Sequence, residues 1–200
     1  VGGEIWRIDM DNVENASFTN VTFVDYTDPL VLDFPARYEN NNFDRIVWAG
    51  EESVFAGNKF KQEVRTENAS FYQDQFEDAV EINSGVRLES TVHYDQLIVN
   101  DSNTELRDLH FVVDGYLEYV THTMIDLNQS AVLEGLTVTG KNNIVFEVLV
   151  GANQNITFKE TVDLQAFDGM FFLIISNQGA SYRNEATWLP SPERLLIISD

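Results

Sequence analysis

The sequence contains no cysteine. This absence excludes disulfides, thiolate-bound zinc and cysteine nucleophiles together. Proline is scarce, with 4 residues in 200, and no Gly/Ser-rich linker interrupts the chain, so we expect a single domain over residues 1–200. No run approaches the roughly 18 apolar residues that a membrane span needs, and the sequence therefore predicts no direct membrane insertion.

Basic residues are few: 12 Lys and Arg stand against 33 Asp and Glu, for a formal net charge of -21. Nucleic acids and anionic membranes would be repelled by such a chain, so neither is expected as a partner. The acid excess is typical of solubility in a salty or crowded exterior. It also leaves calcium open as a ligand, because carboxylates are hard-cation ligands.

Asparagine, in contrast, is abundant and occurs in six Asn-x-Ser/Thr sequons. Chance would give only about two sequons at this composition. The predicted glycosylation sites are Asn15, Asn20, Asn68, Asn100, Asn128 and Asn155. The enrichment favours a secreted or cell-surface glycoprotein, and the missing disulfides favour a prokaryotic one.

The clearest local pattern is a β-hairpin signal. Asp114-Gly115 separates the apolar segments 109–113 and 116–120, and this dipeptide suits a type I′ turn, whose two central residues need positive φ. The short turns 140–143 and 151–154 follow in the same manner. Three short turns in succession predict an antiparallel meander, because parallel neighbours need long crossovers.

These patterns predict an all-β fold, namely an antiparallel β-sandwich or jelly-roll-like domain. The segments 17–23, 105–111 and 131–138 resemble one another loosely, as rungs of a parallel β-helix would. Because their spacing is irregular and a hairpin does not fit inside a rung, the parallel β-helix ranks second.

One short helix is expected near Ser70 to Glu81. Ser70 and Gln73 form a capping-box pattern, and Tyr72, Phe76 and Val80 would share one face. The polar stretch 37–44 is typical of a long surface loop.

Metal and catalytic signals are weak. The hairpin would place His110 opposite Tyr119 and His122 opposite Arg107, so the two imidazoles would lie on opposite faces and could not share a metal. The third histidine, His93, is not placed by the hairpin. Weak calcium candidates are Asp9, Asp11, Asp101 and Glu105. No other cofactor is indicated, and the sequence carries no motif for nucleophilic catalysis, so we do not expect an enzyme.

Aromatic residues offer a different hypothesis, a platform that stacks on sugar rings. Its members would be Trp6, Trp48, Trp188, Tyr116 and Tyr119. This pattern supports a carbohydrate-binding module as the alternative function, with a glycan-acting enzyme behind it.

The two termini carry apolar strand patterns. Apolar side chains alternate near the start of the chain and run continuously near its end. The predicted assembly-strand residues are Trp6, Ile8, Met10, Leu195, Leu196, Ile197 and Ile198. Such a strand either belongs to its own sheet or completes the sheet of a neighbour by β-strand addition.

The leading hypothesis is therefore a non-enzymatic structural or adhesive subunit of an extracellular surface assembly, such as a filament, a pilus-like fibre or a surface layer. Self-association through a terminal donor strand, or binding of other surface proteins or glycans, would be its mode of action.

Overall fold

The computed structural model of the chain describes residues 3–5, 16–24, 27–50, 52–114, 121–189 and 195–199. Within these ranges every regular element is a β-strand. Each strand pairs with its neighbours in parallel. The architecture is that of a parallel β-helix-like solenoid.

The strands, in chain order, are β1 (Gly3–Ile5), β2 (Ala16–Thr19), β3 (Val21–Phe23), β4 (Leu30–Leu32), β5 (Ala36–Glu39), β6 (Asn42–Phe43), β7 (Val47–Ala49), β8 (Val54–Ala56), β9 (Lys59–Phe60), β10 (Val64–Glu67), β11 (Ser70–Tyr72), β12 (Gln75–Phe76), β13 (Val80–Ser84), β14 (Arg87–Glu89), β15 (Val92–His93), β16 (Leu97–Val99), β17 (Glu105–Asp114), β18 (Thr121–Leu127), β19 (Ala131–Val150), β20 (Asn155–Asp163), β21 (Phe167–Ile175), β22 (Ser181–Leu189) and β23 (Leu195–Ser199).

The pairings sort these strands into three stacks. The first stack runs through β2, β5, β8, β11, β14 and the starts of β17, β19 and β20 to β22. The second stack runs through β1, β3, β6, β9, β12 and β15 and continues in the later parts of β17 and β19. The third runs through β4, β7, β10, β13, β16, β18, the end of β19, β21 and β23. One strand from each stack makes a rung.

The rungs grow along the chain. In the first stack, paired residues from β5 to β17 lie 16 to 18 positions apart, as Val54 and Ser70 do. From β17 to β22 the separation is 25 to 27 positions, as between Leu106 and Leu133. Longer strands such as β19 take up the additional residues.

Aromatic columns fill the core of the short rungs. In the second stack, consecutive rings lie 4.5 to 5.1 Å apart and nearly parallel, in the order Phe23, Phe43, Phe60, Phe76, His93 and Phe111. A second column, Phe18, Tyr38, Phe55 and Phe71, lies beside it and meets it edge to face. The third stack contributes mainly aliphatic residues, such as Leu32, Val47 and Val64. Offset-stacked and edge-to-face rings are the arrangements that aromatic quadrupoles favour.

The corner between the first and second stacks has a left-handed backbone in eight successive rungs, from the one that begins with β2 to the one that begins with β20. Its residues have positive φ and are Asn20, Asn40, Gly57, Gln73, Ser90, Asp108, Gly135 and Glu160. Each glycine at a positive-φ corner also makes room for a side chain of the preceding rung. A Cβ built on Gly57 would lie 2.7 Å from Asn40 Oδ1, and one on Gly135 would lie 2.6 Å from Asp108 Oδ1.

Charges alternate on the outer face of the first stack. Cross-strand register places Glu89 beside Arg107, Arg107 beside Glu134 and Glu134 beside Lys159. Arg107 Nε lies 3.0 Å from Glu134 Oε2. Like charges one strand spacing apart would repel, so the alternation of sign allows these charged residues to stack in register. Each exposed ion pair nevertheless contributes little to stability.

The predicted antiparallel sandwich or jelly roll is wrong. The segment 109–113 belongs to β17, which pairs in parallel with β15 and β19; the residues proposed for the returning strand, 116–120, lie outside the described residues. The turn at 151–154 is present, but β19 and β20 on either side of it are parallel. Residues 140–143 are part of the continuous β19. Short turns are compatible with the corners of parallel rungs as well as with hairpins. The segments 17–23, 105–111 and 131–138 resemble one another because they occupy equivalent positions in their rungs.

The predicted helix near Ser70 to Glu81 is also wrong, because these residues form β11, β12 and the start of β13. Phe71 and Phe76 are buried in adjacent aromatic columns, whereas Tyr72 is only half-buried. Stacking on Phe55 and Phe60 outweighs the local helical signal. The stretch 37–44, predicted as a loop, forms most of β5 and all of β6.

The corner geometry predicts a position-specific cost for adding a methyl group. Gly57→Ala places a Cβ at φ +67 and against Asn40 Oδ1, so we expect a loss of about 1–2 kcal/mol or more in the free energy of unfolding. Gly50→Ala is the matched control, because its Cβ would meet only atoms 3.6 Å away or farther. Urea titration of both variants checks this, and equal effects would contradict the corner argument.

Candidate functional site

An exposed tryptophan lies in a groove on the outer face of the third stack. In β4 and β7 the middle residue points outward while its neighbours are buried, which exposes Val31 and leaves Trp48 43% accessible. Cross-strand register aligns Val31, Trp48 and Arg65 in three successive rungs. We call this feature the Trp48 groove; its volume is about 320 Å³.

Polar groups border the Trp48 groove. Asp33, Glu67 and Asn83 contribute to its lining, beside Gly50, which has no side chain to fill it. Arg65 is held from both sides, with its Nε 2.6 Å from Glu63 Oε1 and 3.5 Å from Glu81 Oε2. An indole face with nearby hydrogen-bonding groups is suited to binding a ring that is apolar on its face and polar at its edge.

A second exposed feature is the terminal rung, formed by β22 and β23. Among the described residues, β22 pairs only with β20 and β23 only with β21, so each strand has one edge without a partner there. Tyr182 lies over the buried Ile156, and Ile197 lies over the buried Leu173, yet each is about 40% exposed. Both therefore occupy core columns that no described strand continues beyond β22 and β23.

Trp188 partly covers this end of the core. It is 9% exposed, its ring centroid lies 5.4 Å from that of Phe171 and 5.5 Å from that of Phe158, and its Nε1 donates to Asn184 Oδ1 at 3.0 Å. A groove remains between the start of β22 and the end of β23, lined by Ile175, Tyr182 and Ile197 among others. Apolar surface and an unpartnered strand edge occur there together.

The structure describes only some of the predicted assembly-strand residues. Leu195, Leu196, Ile197 and Ile198 lie in β23, which belongs to the solenoid's own third stack. Leu196, Ile197 and Ile198 remain exposed. Trp6, Ile8 and Met10 lie outside the described residues.

The predicted sugar platform is not brought together by the described residues. Trp48 is exposed, but Trp188 is buried at the far end of the solenoid; Trp6, Tyr116 and Tyr119 lie outside the described residues. The sequence singled out Trp48 without indicating which face it would occupy.

The predicted glycosylation sites occupy corners and strand starts. Asn20, Asn68, Asn128 and Asn155 are exposed, and Asn100 is half-buried; Asn15 lies outside the described residues. The Asn100 amide nitrogen donates to Glu81 Oε1 and Asn83 Oδ1, both at 3.2 Å, and Asn128 donates to Asn100 Oδ1 at 2.8 Å. A glycan on Asn100 would replace one of those N–H donors, which makes Asn100 the least suited of the five.

The calcium candidates that the structure describes are engaged elsewhere. Asp101 Oδ2 accepts hydrogen bonds from the backbone N–H of Gly85 at 2.8 Å and of Asn103 at 3.2 Å. Glu105 lies near Arg87 and Arg107, at 3.7 and 3.9 Å. Asp9 and Asp11 lie outside the described residues, and among the described ones no three His, Cys, Asp or Glu side chains converge as a metal site would require.

The histidine pairing predicted from the hairpin is wrong, because the strands are parallel. His110 pairs with Val92 and Thr137 rather than with Tyr119, and Arg107 pairs with Glu89 and Glu134 rather than with His122. His110 Nε2 lies 2.9 Å from Thr139 Oγ1. Within the described chain, His122 pairs through its backbone with Phe146.

Inside the solenoid, a polar ladder runs beside the aromatic column. Asn41 Nδ2 donates to the Phe18 carbonyl and Asn58 Nδ2 to the Tyr38 carbonyl, both at 3.0 Å. The ladder ends on Asp74, whose Oδ1 accepts from the Asn58 backbone N–H and side-chain amide at 2.6 and 2.9 Å. Burial raises the pKa of Asp74 to about 7, against the opposing effect of these hydrogen bonds.

His93 replaces a phenylalanine in the aromatic column one rung farther on. Its ring stacks between Phe76 and Phe111, and its Nε2 lies 2.9 Å from Thr91 Oγ1. Burial lowers the pKa of His93 to about 3. Both Asp74 and His93 are fully buried, so no ligand reaches them and their roles belong to stability. No motif in the sequence marks Asp74 as a buried carboxylate.

No helix in the described part of the chain is long and apolar enough to cross a membrane. Comparison with protein-family models, with curated proteins and with solved structures gave no match.

Asp74 and His93 predict opposing pH dependences of stability. The folded-state pKa of Asp74 lies above its ordinary value of 3.8. The contribution of Asp74 to the free energy of unfolding is therefore present at low pH and is lost as pH rises from about 4 to 7. The pKa of His93 lies below its ordinary 6.5, so its contribution is lost as pH falls from about 6.5 towards 3.

Asp74→Asn should therefore stabilise the protein at pH 8, by about 1–4 kcal/mol, and have little effect at pH 4, because the amide carries no buried charge. Urea titrations from pH 4 to 8 measure this difference. Asp78→Asn is the control, since Asp78 is exposed. Equal destabilisation by Asp74→Asn at both pH values would show that the ladder requires a carboxylate.

Proposed function

We propose that this chain is a non-enzymatic structural or adhesive subunit of an extracellular surface assembly, and that its copies associate head to tail through the terminal rung. The observation that carries the proposal is that no described strand pairs with the outer edges of β22 and β23. Core-column residues Tyr182 and Ile197 lie exposed there beside unpartnered strand edges.

An added strand would find both of the interactions that hold rungs together. The edge offers backbone donors and acceptors for a parallel ladder, and the groove offers apolar side chains for stacking. Strand addition combines main-chain hydrogen bonds for affinity with side-chain pockets for specificity. Exposed apolar edges otherwise cause aggregation, so a cover at this place is expected.

The partner strand that we propose is the N-terminal segment of a second copy. Its apolar residues Trp6, Ile8 and Met10 alternate with polar ones in the sequence, as a strand with one buried face requires. The segment and the terminal rung are different surfaces, so the contact is heterologous and repeats without closing. Such contacts generate fibres.

The extracellular location rests on different observations. Four of the five described sequon asparagines are exposed, which bulky glycans require. Many described basic side chains pair with an acid, for example Lys59 with Glu77 and Lys61 with Asp44. The remaining acid excess favours a soluble, self-repelling surface in which specific contacts dominate.

Carbohydrate binding is a second candidate function, because Trp48 lies exposed in a groove with polar borders. A binding role would suit an adhesive subunit and would not conflict with assembly at the other end of the solenoid.

Head-to-tail association predicts a complementation pattern. Ile197→Lys blocks the terminal rung and Ile8→Lys blocks the N-terminal segment, so each variant alone should remain monomeric where the wild type forms higher oligomers. An equimolar mixture should give a one-to-one complex, because each variant keeps the surface that the other has lost. Sedimentation velocity measures all three samples.

Val132→Lys is the matched control, because Val132 is 37% exposed on a side face in β19, which is paired on both sides. This variant should oligomerise as the wild type does. A wild-type protein that stays monomeric at every concentration would contradict the proposed assembly, and so would Ile197→Lys oligomers of wild-type size.

A further inference from the structure

The backbone beneath Trp48 is fully engaged in the solenoid. β7 pairs in parallel with β4 on one side and with β10 on the other. A peptide therefore has no edge at which to add a strand in the Trp48 groove, in contrast to the terminal rung. Any ligand bound in this groove has to be recognised by side chains.

Those side chains combine one flat apolar face with hydrogen-bond acceptors. Trp48 presents an exposed indole, and the carboxylates of Asp33 and Glu67 border it. Ionised carboxylates only accept hydrogen bonds, so they select a ligand that donates. Hydroxyl groups around a ring whose C–H faces stack on an indole meet both requirements.

A β-bulge brings a further polar group to the groove. β10 and β13 lose register between Thr66 and Glu67, which pair with Ile82 and Ser84, so Asn83 is the additional residue. The Asn83 side chain is exposed and contributes to the groove. Bulges re-aim side chains and are over-represented beside functional sites.

The charges around the groove determine the class of ligand. Asp33, Glu63, Glu67 and Glu81 supply four carboxylates, and Arg65 is the cation among them, already paired with Glu63 and Glu81. An anionic saccharide would be repelled both here and by the net charge of -21. These charges disfavour an anionic ligand, so among saccharides they favour a neutral one.

The extent of the groove indicates more than one sugar ring. Val31, Trp48, Arg65 and Asn83 lie in four successive rungs, which are separated by about 4.8 Å each and so cover roughly 14 Å. We propose that the Trp48 groove is a binding site for a neutral oligosaccharide, with one ring on the Trp48 indole and hydroxyls donating to Asp33 and Glu67. This inference rests on the second candidate function, carbohydrate binding, and is independent of the proposed assembly.

Isothermal titration calorimetry with a panel of neutral hexasaccharides tests the site, using linear oligomers of glucose, mannose, galactose and N-acetylglucosamine, with hexagalacturonate as the anionic comparison. We expect at least one neutral oligomer to bind and hexagalacturonate not to bind. Trp48→Ala should weaken binding at least about tenfold, and Trp48→Phe should restore most of it, because an aromatic face is the essential feature.

Tyr94→Ala is the matched control, since Tyr94 is 44% exposed, nearly the same as Trp48, and should leave the affinity unchanged. Titrations repeated in the Ile197→Lys background separate saccharide binding from association between copies. The proposal is overturned if no neutral hexasaccharide binds, if hexagalacturonate binds better, or if Trp48→Ala binds as tightly as the wild type.

Discussion

In-register parallel stacking is the constraint on which the rest of this structure depends. Each residue of a rung lies one strand spacing from a residue with the same role in the next rung. A ring therefore stacks on a ring, as Phe43 does on Phe60 at 4.6 Å, and a corner with positive φ is followed by another. Where two like charges would lie side by side, residues of opposite charge alternate, as Arg107 and Glu134 do. Where two side chains would collide at a corner, one position is a glycine, as Gly57 is next to Asn40.

The same constraint determines where function can reside. Interior strands such as β7 have both edges paired, so the long sides of the solenoid present only side chains. The Trp48 groove uses that surface. The terminal rung, with strands paired on one side among the described residues, presents backbone and uncovered core residues together, and it is suited to contact with another chain. The proposed saccharide binding and the proposed association between copies therefore use different surfaces.

Part of this architecture was readable in the sequence. Strand content, short turns and the resemblance among 17–23, 105–111 and 131–138 were correct signals, and the last of them pointed to rungs. A sharper signal of the repeat is that Phe43, Phe60 and Phe76 each follow an Asn or Asp by two residues, at spacings close to one rung. The buried ladder of Asn41, Asn58 and Asp74 and the aromatic column produce this pattern together.

Other features could not be read locally. Alternating burial looks the same in antiparallel and parallel strands, so the sequence around Asp114-Gly115 also fits a hairpin. The helical pattern at 70–81 was outweighed by stacking on residues one rung away, which no short window contains. Growth of the rungs after β17 broke the period that would have exposed the repeat. The sequence marks Trp48 as an aromatic candidate, but only the strand register places it on an outer face beside Val31 and Arg65.

Disulfide trapping tests the parallel stacking most directly, because the chain has no cysteine of its own. Gln75 and Val92 are direct neighbours in β12 and β15, whereas Lys59 and Val92 lie two rungs apart. The stacking predicts that Gln75→Cys with Val92→Cys oxidises to an intramolecular disulfide in the folded protein, since parallel neighbours lie about 5 Å apart. Lys59→Cys with Val92→Cys should stay reduced at a separation of roughly 10 Å. A disulfide in the second pair and none in the first would contradict the account.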